Sequence, residues 1–293
     1  MPSDAMTLDL RRRFFAEEIE AVARLRSIGL VEALAAVPRE RFLPPGPWVT
    51  MADADFMSPG RHITTPDADP KRVYHNIGIA IDPARQLFNG QPGTLATLID
   101  ALALASGQRV LHVGAGLGYY TAIMAHCVGA NGRVVAYEVD GALAARAREN
   151  LAPLGQVEVR AADASQPLNE TFDAILVNAG VTHPLETWLE AMAPGGRLVL
   201  PITAAMPAMG VTLGKGLTWL ITREAAHTFS ARAAGIVAIY SAVGVRSDPL
   251  NERVGKAMMA GPTKWQAVTR LRRDPHDAGE ACWLHGDGFC LSA

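Results

Sequence analysis

The sequence predicts an α/β protein: a doubly wound, mostly parallel sheet with helices on both faces, preceded by a helical segment and followed by a β-containing extension. Three observations predict it. Between residues 94 and 201, short runs rich in Val, Ile and Leu alternate with amphipathic stretches, the pattern of a parallel sheet covered on both sides. The first run, Val110-Leu111-His112-Val113, passes directly into Gly114-Ala115-Gly116-Leu117-Gly118 and then a helix, a turn that lets a ligand approach the backbone at the carboxyl end of a strand. The next two strands are followed at once by acids, Glu138 and Asp163.

Each element has its own warrant. Over residues 8–28, Leu10, Phe14, Ile19, Val22 and Leu25 recur at mostly helical spacing, and residues 31–37 add a second helix that stops before Pro38. Residues 44–85 are dense in Pro, Asp and Gly, which excludes helices and long strands. A loop of that length is as a rule functional or disordered, and residues 51–72 are expected to form a lid that is protease-sensitive without ligand. The alternating region then reads as a helix over 94–105, a strand over 109–113, a helix from Tyr119, a strand over 133–138 and a helix over 141–151. Strands over 157–161 and 172–178 follow, then a helix to Met192 and a strand over 197–201. Beyond Pro201 come β-rich stretches at 217–222 and 236–245, a helical piece at 250–259 and a strand at 281–284. The expected organisation is an N-terminal part over 1–93, a ligand-binding domain over 94–245 and an extension over 246–293.

With 293 residues and a formal net charge of −2, the chain can bury a large core and carries no electrostatic footprint for nucleic acid or an anionic membrane. Small or neutral partners are expected. Cys127, Cys282 and Cys290 are odd in number and widely spaced, which fits neither a disulfide framework nor a zinc-ligand pattern, so no metal is expected. The early acids and arginines read against a secretory signal, and no apolar stretch reaches membrane-spanning length; the expected location is the cytoplasm.

The glycine turn makes the predicted sheet Rossmann-like. A dinucleotide fingerprint would place its third glycine where Tyr119 stands, one residue past Gly118, which disfavours a pyrophosphate ligand and a nicotinamide-dependent oxidoreductase. Glu138, at the end of Val134-Val135-Ala136-Tyr137, is placed to accept hydrogen bonds from both hydroxyls of a ribose. Asp163, after Val157-Glu158-Val159-Arg160-Ala161, is placed to accept from an adenine amino group. Each acid alone would pass for a helix cap. In register on successive strands, the set points to an adenosine-containing ligand.

The run over 14–201 resembles the protein-L-isoaspartate O-methyltransferase family. The resemblance is carried by Ala36-Val37-Pro38-Arg39-Glu40-Arg41-Phe42-Leu43-Pro44, the turn from Leu111 to Tyr119, Ala147-Arg148-Glu149-Asn150-Leu151, Phe172-Asp173-Ala174-Ile175-Leu176-Val177 and Pro194-Gly195-Gly196-Arg197-Leu198-Val199-Leu200-Pro201. It implies S-adenosylmethionine as cofactor, held by Gly114, Ala115, Gly116, Gly118, Tyr119, Glu138, Val139, Asp163, Ala164 and Asn178. It also implies methyl transfer to a peptide or protein carboxylate. The family's Gly-Gln-Thr-Ile-Ser-x-Pro signature is broken: Gln91 and Pro92 match, but Gly90 takes the place of the serine and Phe88 that of the threonine. Simple isoaspartyl peptides are therefore expected to be poor acceptors, with Asn89 and Gln91 the amides able to compensate. A specialised small molecule or modified peptide is the alternative acceptor, and a cofactor-binding module without turnover a third reading.

Gln91, Asn178 and His183 are the candidate catalytic residues. Asn178, Thr182 and His183 follow the fourth strand, where this architecture faces the transferred methyl group. A carboxylate acceptor is ionised at neutral pH and needs no base, whereas a hydroxyl or amine would make His183 the first base to test. His62, His75 and His285 read as solvated or core histidines without a metal spacing, and Trp188 and Trp265 as packing residues.

Overall fold

The computed structural model describes residues 4–52, 62–205 and 213–293. Part of the expected lid, residues 53–61, lies outside the described residues. In chain order the elements are α1 (Asp4–Ala23), α2 (Ile28–Ala36), β1 (Val49–Met51), β2 (Ile63–Thr64), β3 (Gly78–Asp82), β4 (Leu87–Phe88), α3 (Pro92–Leu102), β5 (Arg109–Val113), α4 (Tyr119–Val128), β6 (Arg133–Glu138), α5 (Gly141–Leu151) and β7 (Val157–Ala161). There follow β8 (Phe172–Val177), α6 (Glu186–Glu190), β9 (Met192–Ala205), β10 (Leu213–Ala225), β11 (Thr228–Tyr240), α7 (Asp248–Met259), α8 (Pro262–Gln266), β12 (Arg270–Arg272), β13 (Cys282–Gly286) and β14 (Phe289–Ser292). They divide into two compact units, the first Met1–Gly107 with Ala115–Ala162, the second Gln108–Gly114 with Asp163–Ala293.

In the first unit, α2 starts where Ser27 Oγ accepts the Leu30 N–H at 3.2 Å, and Asp100 fixes the approach by accepting the backbone N–H groups of Arg26 and Ser27 at 3.1 and 2.9 Å. Short antiparallel strands in the order β2-β1-β3-β4 fill part of the stretch in which the sequence predicts only loop. Two- and three-residue pairings are compatible with the Pro and Asp content because so few ladder bonds are needed. Arg39 is wholly buried and donates to four carbonyl-type acceptors: the backbone oxygens of Val73 (2.6 Å), His75 (3.1 Å) and Ile77 (2.7 Å), and Asn89 Oδ1 (3.3 Å). Further along, β6 and β7 pair in parallel from Val134↔Val157 to Glu138↔Ala161, and α5 begins at Asp140, whose carboxylate accepts the N–H groups of Ala142 and Leu143.

In the second unit the strand order is β13-β14-β12-β11-β10-β9-β8-β5. β5, β8 and β9 run parallel, and every pairing from β9 outward is antiparallel. β9 runs Met192–Ala205, well past both ends of the expected strand at 197–201, because it pairs with β8 on one side and follows β10 to its end on the other. The preceding helix is correspondingly cut to Glu186–Glu190 instead of reaching Met192. The alternating inward residues of the long strands, Leu217, Trp219 and Ile221 among them, are wholly buried. Among the described residues no helix is long and apolar enough to cross a membrane.

Candidate active site

Of the residues expected at the cofactor, the first unit carries Ala115, Gly116, Gly118, Tyr119, Glu138 and Val139, and the second Gly114, Asp163, Ala164 and Asn178. In the first unit the geometry centres on Glu138, only 7% exposed at the end of β6. One carboxylate oxygen accepts the Gly116 N–H at 2.7 Å and the other the Asp140 N–H at 3.0 Å. Burial pushes its pKa upward, and these backbone donors oppose that shift. Each oxygen keeps a lone pair for a further donor such as a ribose hydroxyl. The turn itself is held by the Asn150 side-chain amide, which donates to the Leu117 carbonyl at 2.9 Å. Gly118 opens α4 at φ +93°, and a Cβ there would lie 2.7 Å from a Leu151 methyl, so both conformation and space demand glycine.

Tyr119 turns its ring into the core against Phe42, Tyr120 and the Arg39 guanidinium, which leaves its backbone for the turn. The Val139 side chain is exposed. Gln91 is engaged at both ends of its amide, donating to the Asn76 carbonyl at 3.1 Å and accepting from Thr94 Oγ1 at 3.3 Å. Gly90 has φ +79°, and a Cβ on it would stand 2.8 Å from Leu95 Cδ2. The position that the family resemblance gives to serine is therefore shaped against any side chain. Phe88 is buried and lies against the His62 ring, while His75 is exposed.

In the second unit, Asn178 continues β8: its backbone N–H donates to the Val113 carbonyl at 2.8 Å and its side chain to the Gly114 carbonyl at 3.3 Å. Both oxygens of Asp163 bond locally, to the N–H and the hydroxyl of Ser165 at 2.8 Å each, the Asx turn that the bland reading of this acid requires. Ala164 is buried, and its carbonyl accepts the Trp188 indole N–H at 2.8 Å, which accounts for Trp188 as a packing residue; Trp265 is half-buried. His183 is half-buried, its Nδ1 is 2.9 Å from the Thr182 hydroxyl and its ring stacks on Phe289. Burial lowers its pKa.

Two features were missed by sequence reasoning. Arg246 donates to the carbonyls of Gly180 and Thr203, to Thr203 Oγ1 and to Asn251 Oδ1, fixing the segment that carries Thr182 and His183 with no carboxylate partner. An arginine bound to carbonyl and hydroxyl oxygens leaves no opposite-charge signal in a sequence. The second is a correction: Cys282, Cys290 and His285, read as fitting no metal pattern, converge with His276 so that one donor atom of each lies within 4.8 Å of the others. The signal available was His-x5-Cys-x2-His-x4-Cys, compact once both residue types are counted together.

Comparison with known proteins agrees with this architecture. A solved protein-L-isoaspartate O-methyltransferase superposes with TM-score 0.60 at 22% identity, covering 83% of this chain and 69% of the other. A putative protein-L-isoaspartate O-methyltransferase from Plasmodium falciparum, in complex with S-adenosyl-L-homocysteine, gives 0.59 at 17% identity over 78% and 97%. The fold is thus that of the α/β methyltransferases. Protein-L-isoaspartate O-methyltransferase 1 of Rhodopseudomonas palustris is 36% identical over 68% of this chain and 71% of its own length, and the Methylorubrum populi enzyme is 35% identical over 75% and 89%. With residues 56–212 also matching the family model, the chain belongs to the protein-L-isoaspartate(D-aspartate) O-methyltransferase family.

Proposed function

We propose that the protein transfers the methyl group of S-adenosylmethionine to a carboxylate of a peptide or protein, an isoaspartyl or related residue. The observation that carries the reading is the clamp between Glu138 and the glycine turn: a buried carboxylate, fixed by the Gly116 N–H and with acceptor capacity left over, beside a turn in which Gly116 is half-buried. That donor and acceptor set fits a ribose. Glu138 and the Gly116–Gly118 turn would hold the nucleoside, and the bound cofactor supplies an electrophilic methyl carbon on a sulfonium. The protein's part is then to orient the acceptor in line and exclude water. A carboxylate acceptor needs no proton removed, in keeping with a His183 whose burial keeps it neutral. Three unpaired thiols, Cys127, Cys282 and Cys290, support a cytoplasmic location.

A second reading, a specialised modified peptide or small molecule as acceptor, is favoured by Gly90, where backbone sign and the Leu95 contact remove the family's serine. Labelled S-adenosylmethionine offered with isoaspartyl and other carboxyl-bearing peptides separates the two. Base-labile methyl ester on a peptide carboxylate supports the first. Intact S-adenosylhomocysteine binding with no ester on any of them turns the assignment to the second.

A further inference from the structure

We propose that His276, Cys282, His285 and Cys290 form a closed, tetrahedral zinc site in the second unit. It stands independently of the methyltransferase reading. The strands bring three of the ligands to one face by an irregularity. Along β14, Cys290 and Ser292 point to the same side. On β13, Cys282 pairs with Ser292 and His285 with Cys290, yet Cys282 and His285 are three residues apart and in a regular strand would face opposite ways. A bulge between Cys282 and Leu284 inserts Trp283 opposite no partner and resets the alternation, so Cys282, His285 and Cys290 share a face.

His276 completes the set from the connection between β12 and β13. Its Nδ1 lies 2.8 Å from the Asp274 carbonyl, which fixes the proton on that nitrogen and leaves Nε2 as a ligand atom, 3.7 Å from Cys282 Sγ. Two ligands of one tetrahedral zinc, with bonds of about 2.0–2.1 Å to nitrogen and 2.3 Å to sulfur, stand roughly 3.5 Å apart. The Gly279 N–H donates to Cys282 Sγ at 3.4 Å, a contact suited to a thiolate. His285 Nδ1 is buried without a hydrogen-bond partner, a position that an unliganded imidazole holds only at a cost. The two imidazoles meet edge to face at 4.8 Å.

Two sulfurs and two imidazole nitrogens select zinc over hard cations, and four protein ligands leave no open coordination position, so the metal is structural and not catalytic. Binding releases the two thiol protons and takes both histidines neutral. The site ties the β13–β14 hairpin to the preceding connection. That hairpin also carries Phe289, the ring stacked on His183.

The test uses the full chain, purified without chelator and passed over a desalting column. Metal analysis should find about one zinc per chain. Cys127→Ser should keep it, and Cys282→Ser and Cys290→Ser should each lose most of it. Because either cysteine variant may fail to fold, wild type is also stripped and reloaded with cobalt, which should give the intense visible bands and sulfur charge-transfer band of tetrahedral thiolate coordination. Chelation should in addition change the fluorescence of Trp283, which stands between ligands. Wild type that holds no zinc and gives no such cobalt spectrum overturns the proposal, as does thiol counting that finds Cys282 and Cys290 joined in a disulfide.

Discussion

The hydroxyl of Thr182 stands 2.9 Å from Nδ1 of His183 while accepting the Ser247 N–H at 3.1 Å. With one of its two lone pairs engaged, the hydroxyl can donate its proton to Nδ1, and in that tautomer the neutral ring carries its own proton on Nε2. In that tautomer His183 presents a donor where a base would need a lone pair.

His183→Gln, which keeps an N–H at the place of Nε2, should therefore retain kcat within about tenfold. Steady-state kinetics showing a loss of about 10²-fold or more, with a pH profile that loses its acidic limb, would make His183 a general base.

Removing the Glu138 carboxylate should weaken S-adenosylhomocysteine by about 1–3 kcal/mol in Glu138→Ala, since the ribose loses a charged acceptor and Gly116 loses its own. Titration calorimetry measures it, and an unchanged affinity would sink the ribose assignment.

At position 90 the family's serine should not be recoverable by a single change. Gly90→Ser places a Cβ at φ +79° and 2.8 Å from Leu95, and should destabilise the fold by about 1–3 kcal/mol without raising turnover on isoaspartyl peptide. Chemical denaturation and the ester assay decide. Wild-type stability together with a gain in turnover would show that the loop accommodates the serine.

Acid sensitivity should trace partly to His112, wholly buried in β5, whose pKa burial lowers to about 3. Because the unfolded chain binds the proton more readily, this group's contribution is intact above about pH 6.5 and falls away by about 1.4 kcal/mol per pH unit below it, toward the folded value. Urea titrations at pH 7 and pH 5 should show wild type losing about 2 kcal/mol more than His112→Leu. Equal losses in both would assign the acid response elsewhere.

The strands over 109–113, 133–138 and 157–161 and the helix over 141–151 were legible to the residue, as was the start of the helix at Tyr119, because the glycine turn and Asp140 mark where elements stop and start. β9 was not: Pro194-Gly195-Gly196 reads as a turn, and the strand reaches Met192 only through an irregularity in its pairing with β8, from Phe172↔Met192 to Ala174↔Arg197. β14 was missed because its four residues are too few to show an alternating pattern, although Asp287-Gly288 before it is a hairpin turn signal. The glycine turn and Glu138 could be read because their spacing is local. The His276, Cys282, His285 and Cys290 cluster was missed despite its compact spacing, because a single bulge decides which way Cys282 faces. The positive φ at Gly90 and the crowding against Leu95 that a side chain there would meet likewise belong to the folded backbone.

Arg39 carries a consequence for the order in which the chain matures during synthesis. Its four acceptors lie 34, 36, 38 and 50 residues further on. When Arg39 leaves the ribosome none of them has yet emerged, and an unpartnered guanidinium stays in water. Its full set of acceptors is complete only once Asn89 has emerged, so this buried cation ties the closure of the packing around it to the synthesis of the chain through β4.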